Sequence, residues 1–179
     1  MATATKTATP VAMTPMQKQF VAARDVSAPL VLLRTADPTG SVVLLTRVAV
    51  TPTDREAPVV QWDCAQGFLG ANEPGKTVAA QLGGDKVRNP VEALLKAKTA
   101  PVHTTIVMLN LGEFMLTNGD TMVRQALWNL RDPFKRDFRT LVWTQPEGGV
   151  PLTLEHDVMI IDEPLPGPDA RRAIIRVGI

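Results

Sequence analysis

Five short apolar runs set the frame for this chain. They are Leu30–Arg34 (LVLLR), Pro58–Cys64 (PVVQWDC), Thr104–Leu109 (TTIVML), Thr140–Thr144 (TLVWT) and Val158–Ile161 (VMII). Each is nearly continuous in apolar residues rather than alternating, which suits a strand buried on both faces. Helix-start signals lie between them. Asp37-Pro38 offers a capping side chain and a proline fit for a first helical turn. Asn89-Pro90-Val91-Glu92 adds a carboxylate at the third helical position. Met122, Ala126, Leu127 and Leu130 fall at helical spacing within Asn118–Leu130. Further helices are expected over Met16–Arg24, Ser41–Val50 and Asp169–Val177. Gln66–Lys86, with Gly67, Gly70, Gly75, Gly83 and Gly84, reads as an irregular connection. Buried strands alternating with helices predict an α/β fold, a three-layer α/β/α sandwich with about five mostly parallel strands.

Composition then removes several classes of function. The 179 residues suit a single domain able to bury its own core. Residues 1–15 are Thr/Ala-rich and too polar to offset their ordering entropy, so a flexible tail is expected there and a single α/β domain over 16–179. One cysteine, Cys64, excludes an internal disulfide framework and a Cys-rich zinc module. His103 and His156 have no partner at metal-ligand spacing. A formal net charge of +1 argues against a dedicated nucleic-acid binder. The longest apolar runs are about six residues, against the roughly 20 of a membrane helix. The N-terminus has no apolar h-region, so it is not read as a secretory signal, and the chain is expected in the cytoplasm.

One segment satisfies a mechanistic pattern in full. Gly70-Ala71-Asn72-Glu73-Pro74-Gly75-Lys76-Thr77 matches G-x-x-x-x-G-K-[ST]. In a working phosphate loop the backbone amides cradle phosphates, the lysine meets the β/γ-phosphates and the hydroxyl holds magnesium. Gly70, Gly75, Lys76 and Thr77 are therefore the candidate nucleotide-binding residues. The surroundings speak against the chemistry. Pro74 removes an amide, Glu73 brings a negative charge, and the strand before the motif is expected to end near Cys64. The turn after the first strand, Thr35-Ala36-Asp37-Pro38-Thr39-Gly40-Ser41, has no lysine. The apolar strand that should end in a magnesium-binding acid ends in Asn110, which brings no charge. Glu113 is the remaining carboxylate nearby.

The other chemistry-bearing residues have structural readings. Arg124, Arg131, Lys135, Arg136 and Arg139 read as a solvated helix end, with an Arg131–Asp132 ion pair. Trp62, Trp128 and Trp143 read as core, Met108, Met115 and Met122 as core filler, and Cys64 as a buried apolar residue. Glu155, Asp157, Asp162 and Glu163 read as solvated.

An ordered series of segments carries a family resemblance across residues 18–177. It comprises PLVLLRT (Pro29–Thr35), VVQWDCAQG (Val59–Gly67), NPVEALL (Asn89–Leu95) and IVMLNLGEFM (Ile106–Met115). It continues with LWNLRDPFKR (Leu127–Arg136), LVWTQP (Leu141–Pro146) and VPLTLEHDVMIIDEPLP (Val150–Pro166). With these pieces the chain resembles the N-terminal region of plastid- and cyanobacterial-type AAA ATPases, where a degenerate P-loop-like domain precedes the active module. That family usually has aspartate where this chain has Asn110, and Leu-Arg-Asp where it has Leu130-Arg131-Asp132. The resemblance implies a RecA/AAA-like topology and a chain that is one domain of a larger protein. It implies no catalytic residue, metal or cofactor in this domain, with ATP and magnesium used by the full-length protein. It also implies self-association or a protein partner through the AAA assembly, and no membrane partner. The expected function is thus a non-catalytic domain acting in assembly or partner docking. The alternative is an active P-loop nucleotide-binding domain using Gly70–Thr77.

Overall fold

The computed structural model describes residues 12–115 and 120–164. The expected helix at Asp169–Val177 and most of the expected tail lie outside them. The first helix, α1 (Pro15–Asp25), opens on a reciprocal cap. Thr14 accepts from the Gln17 amide, and the Gln17 side chain accepts from the Thr14 amide. Strand β1 (Leu30–Arg34) follows, then α2 (Pro38–Thr46), capped by Asp37. The chain continues through β2 (Val59–Asp63), β3 (Gly67–Gly70), α3 (Glu73–Gln81) and α4 (Pro90–Ala97). It ends its described part with β4 (Thr105–Leu109), α5 (Thr121–Trp128), α6 (Arg131–Arg136), β5 (Thr140–Gln145) and β6 (Val158–Asp162).

The strands form one sheet in the order β3-β2-β4-β5-β1-β6. All neighbours are parallel except β2 and β3, which form an antiparallel pair at one edge. The five continuous runs are the five parallel strands. Their side chains divide between two cores, as strand geometry requires. Leu30, Leu32, Val60, Trp62, Ile106, Met108, Leu141 and Trp143 pack on one face against residues of α3, α4, α5 and α6. Val31, Leu33, Val59, Val107, Val142 and Ile161 pack on the other against Met16, Phe20 and Ala23 of α1 and Val42 and Leu45 of α2. The three-layer α/β/α expectation therefore holds.

Local expectations changed in three places. The glycine-rich connection is ordered: it contains β3, α3 and a short 3-10 turn at Gly84–Lys86. Asp63 accepts from the Ala65 and Gln66 amides, and Gly67 takes φ +75°, which closes the tight turn into β3. The second helix begins at Pro38 and stops at Thr46, short of Val50. The helix expected over Asn118–Leu130 stops at Trp128, and a separate α6 starts at Arg131. Pro133 lies in the first turn of α6, where its missing N–H costs nothing.

Candidate functional site

Ligands in open parallel sheets bind beyond the carboxyl ends of the strands. Here a cleft of about 540 Å³ occupies that position, lined by residues following β1, β5 and β6, among them Arg34, Thr35, Glu147, Gly148, Asp162 and Glu163. Its polar groups are tied to one another. Arg34 Nε donates to the Gly148 carbonyl at 2.9 Å, and its Nη1 lies 3.3 Å from Asp162. The Asp37 carboxylate accepts from the Gly40 amide at 2.9 Å, capping α2. The Ser41 hydroxyl meets the Glu163 carboxylate and lies 2.9 Å from Thr35 Oγ1 and 2.8 Å from the Asp37 carbonyl. The cleft is thus lined by the carboxylates of Glu147, Asp162 and Glu163 against the single guanidinium of Arg34, while Asp37 in the turn after β1 caps α2. Asn110 follows β4 with a left-handed backbone (φ 55°), and Glu113 is exposed on the turn after it.

The Gly70–Thr77 motif lies at the opposite end of the sheet. Because β3 runs antiparallel, Gly70 pairs with Val60, near the amino end of β2, and the Ala71 amide donates to the Val59 carbonyl. A strand does lead directly into the motif, but α3 already opens at Glu73, three residues before the lysine. Asn72 organises this corner. Its Oδ1 accepts from the amides of Gly75 and Val59, each at 2.9 Å, and its Nδ2 donates to the Ala57 carbonyl at 2.8 Å. The Lys76 amide donates to the Asn72 carbonyl inside the helix. Gly75 is buried where α3 meets β2: a Cβ there would lie 2.0 Å from the Val59 carbonyl oxygen. Lys76 and Thr77 point to solvent, and Lys76 pairs with Glu73 at 2.7 Å, which raises the lysine pKa above its usual value.

Other residues depart from expectation. Arg131 pairs with Asp157 at 2.5 Å rather than with Asp132, and stacks over the Trp128 ring at 4.0 Å. Trp62 and Trp143 are core, but Trp128 is 40% exposed. Met108 and Met115 are buried, whereas Met122 is 61% exposed. Cys64 is exposed, in the turn closing the β2–β3 pair. The basic cluster splits. Arg139 is buried, donates to the carbonyls of Lys98 and Ala100, and contacts Asp137, so it ties the end of α4 to α6. Asp157, Asp162 and Glu163 are engaged by Arg131, Arg34 and Ser41.

A second cleft, of about 340 Å³, opens at the amino ends of the strands beside Arg24, Asp25, Val50, Asp54, His103 and Phe138. Arg24 donates there to Thr105 Oγ1 and to the carbonyls of Val50 and His103. Burial lowers its pKa, opposed by the charge of Asp25. A third, of about 300 Å³, lies between α5 and the turn at Leu152–Leu154, lined by Thr121, Arg124, Gln125, Trp128 and Thr153. The i, i+3, i+4, i+7 spacing of the four α5 residues, opposite buried Val123, Ala126 and Leu127, is the sequence signal for this surface. Among the described residues no group of three metal-ligating side chains occurs, and no helix is long and apolar enough to cross a membrane.

Comparison with known proteins bears on most of the chain. Residues 16–163 match the family described as the SpoVK-like AAA ATPase, N-terminal domain. A curated relative, the uncharacterized AAA domain-containing protein ycf46 of Guillardia theta, is 27% identical over 120 residues. The match covers 66% of this chain but 22% of the relative, so it spans about a fifth of that protein. No solved structure matches significantly. The mostly parallel sheet and the family match agree with the RecA/AAA-like α/β fold implied by the sequence. On this match, the chain belongs to the SpoVK-like AAA ATPase N-terminal domain family.

Proposed function

We propose that this chain is a non-catalytic domain of an AAA-type ATPase, acting in assembly or partner docking. ATP and magnesium are then used by a following module, which supplies the hydrolysis. The carrying observation is the chemistry of the carboxyl-end cleft. A polyphosphate there would face Glu147, Asp162 and Glu163 with only Arg34 to offset them, and the Gly40 amide at the start of α2 is already taken by Asp37. Like charges at such distances disfavour binding. The turn after β1 has no lysine, and Asn110 supplies no charge for a metal–water shell. These residues do not fit magnesium-bound ATP. The Gly70–Thr77 segment fits it no better, because its Gly75 and Lys76 amides are committed within α3 and its position is the amino end of the sheet. A fold with one cysteine depends on no disulfide and hence on no oxidising compartment, and the proposal places the protein in the cytoplasm.

Thermal unfolding with and without millimolar magnesium-ATP tests the reading. A ligand at 100 times its dissociation constant adds about 2.7 kcal/mol of stability. The expected result is no shift, in the native sequence or in Lys76→Ala. A shift that Lys76→Ala removes would establish the alternative, an active phosphate loop at Gly70–Thr77.

A further inference from the structure

The third cleft joins an exposed tryptophan to an arginine with no carboxylate in its lining. Trp128 stands on its wall with 40% of its surface open, while the other two tryptophans are fully buried. The indole is held in place: the Arg131 guanidinium lies 4.0 Å from its ring centre and is anchored by Asp157 at 2.5 Å. A fixed aromatic plate loses little conformational entropy when a partner covers it. Outside the lining, Leu152 beside Thr153 is 85% exposed and Met122 on α5 is 61% exposed. Tryptophan and arginine are the residues most enriched at the centres of protein–protein interfaces.

Charge separates this cleft from its neighbours. The carboxyl-end cleft sets Glu147, Asp162 and Glu163 against Arg34, and the amino-end cleft sets Asp25 and Asp54 against Arg24. The α5 cleft is lined by Arg124 and no carboxylate. Arg124 donates to the Met115 carbonyl at 2.9 Å and to Thr121 Oγ1 at 3.1 Å. Among the described residues no carboxylate lies within ion-pair distance of it. We infer that this cleft docks an acidic, apolar segment of a partner protein. A large apolar side chain of the partner packs on Trp128, and a neighbouring carboxylate pairs with Arg124. This deepens the docking reading above and rests on it.

The probes are two synthetic amphipathic helical peptides without tryptophan, each presenting leucines on one face. One carries glutamates flanking the leucines and the other lysines at the same positions. Trp128, as the exposed indole, reports through its fluorescence, and anisotropy of a labelled peptide gives the affinity. The glutamate peptide is expected to change Trp128 emission and bind saturably, and the lysine peptide to bind at least tenfold more weakly. Arg124→Gln is expected to weaken the glutamate peptide about tenfold and abolish the preference over lysine. Trp128→Ala is expected to remove binding, with unchanged circular dichroism showing that the fold persists. Equal binding of both peptides, binding of neither, or self-association that buries Trp128 would each overturn the inference. The ATP titration is independent, so a negative peptide result beside a negative ATP result rejects this surface and leaves the non-catalytic reading standing.

Discussion

A methyl group added at Gly75 has nowhere to go. It would fall 2.0 Å from the Val59 carbonyl oxygen and 2.7 Å from Asn72 Oδ1, and the first of these is backbone. Gly75→Ala must therefore push α3 off β2. It is expected to cost about 3 kcal/mol, the upper part of the range for overpacking, as read by denaturant unfolding. At Asp137 the expectation concerns pH. Its carboxylate accepts from Arg136 and also contacts Arg139, and these bonds, with that from Arg136 foremost, hold its pKa below the usual carboxylate value. A carboxylate depressed in the folded state stabilises fully above its unfolded pKa, about 3.9, and loses that contribution as pH falls toward the depressed value. Asp137→Asn should lower the melting temperature at neutral pH. The gap between the native protein and the variant should narrow below pH of about 4, and melting curves across the acid range would show a constant gap if the ion pair were inert.

At the scale of the element, Asn72 joins two pieces of structure through one side chain. It caps α3, accepts from the Val59 amide at the start of β2 and donates to the Ala57 carbonyl. Asn72→Ala removes a helix cap and strands two backbone groups of the entering strand. A loss of about 2–4 kcal/mol is expected from those contributions together, measured by denaturant unfolding. The five parallel strands were readable because each is a continuous apolar run, and a strand covered on both faces needs no alternation to reveal it. β3 was not, since two of its four residues are glycines and its stability comes from pairing with β2 and packing of Phe68. The phosphate-loop pattern shows the limit of local sequence most clearly. Gly70 through Thr77 satisfy the spacing, but only the direction of β3 decides which end of the sheet they occupy. That direction depends on the Asp63–Gly67 turn. Trp128 and Cys64 are residue types that usually bury, and their exposure follows from the faces of α5 and of the β2–β3 turn on which they fall.

At the scale of the molecule, the described residues cover the two sides of the sheet unequally. Four helices cover one core, whereas α1 and α2 alone among the described helices contribute to the other. Met16, Phe20 and Ala23 of α1 are almost completely buried against it. Deleting residues 1–25 should uncover Val31, Leu33 and Ile161, and the expected outcome is a protein without a cooperative thermal transition by circular dichroism. A normal sharp transition would show that α1 is dispensable. The position of β1 has a consequence of another kind. Among the described strands it comes first in sequence, yet its partners on both sides, β5 and β6, come last. The strand therefore gains its sheet partners only after the chain through β5 and β6 has been made. Contacts this distant in sequence slow folding and prolong the life of exposed strand edges. During that interval the apolar run Leu30–Leu33, fully buried in the finished sheet, is exposed to wrong pairing.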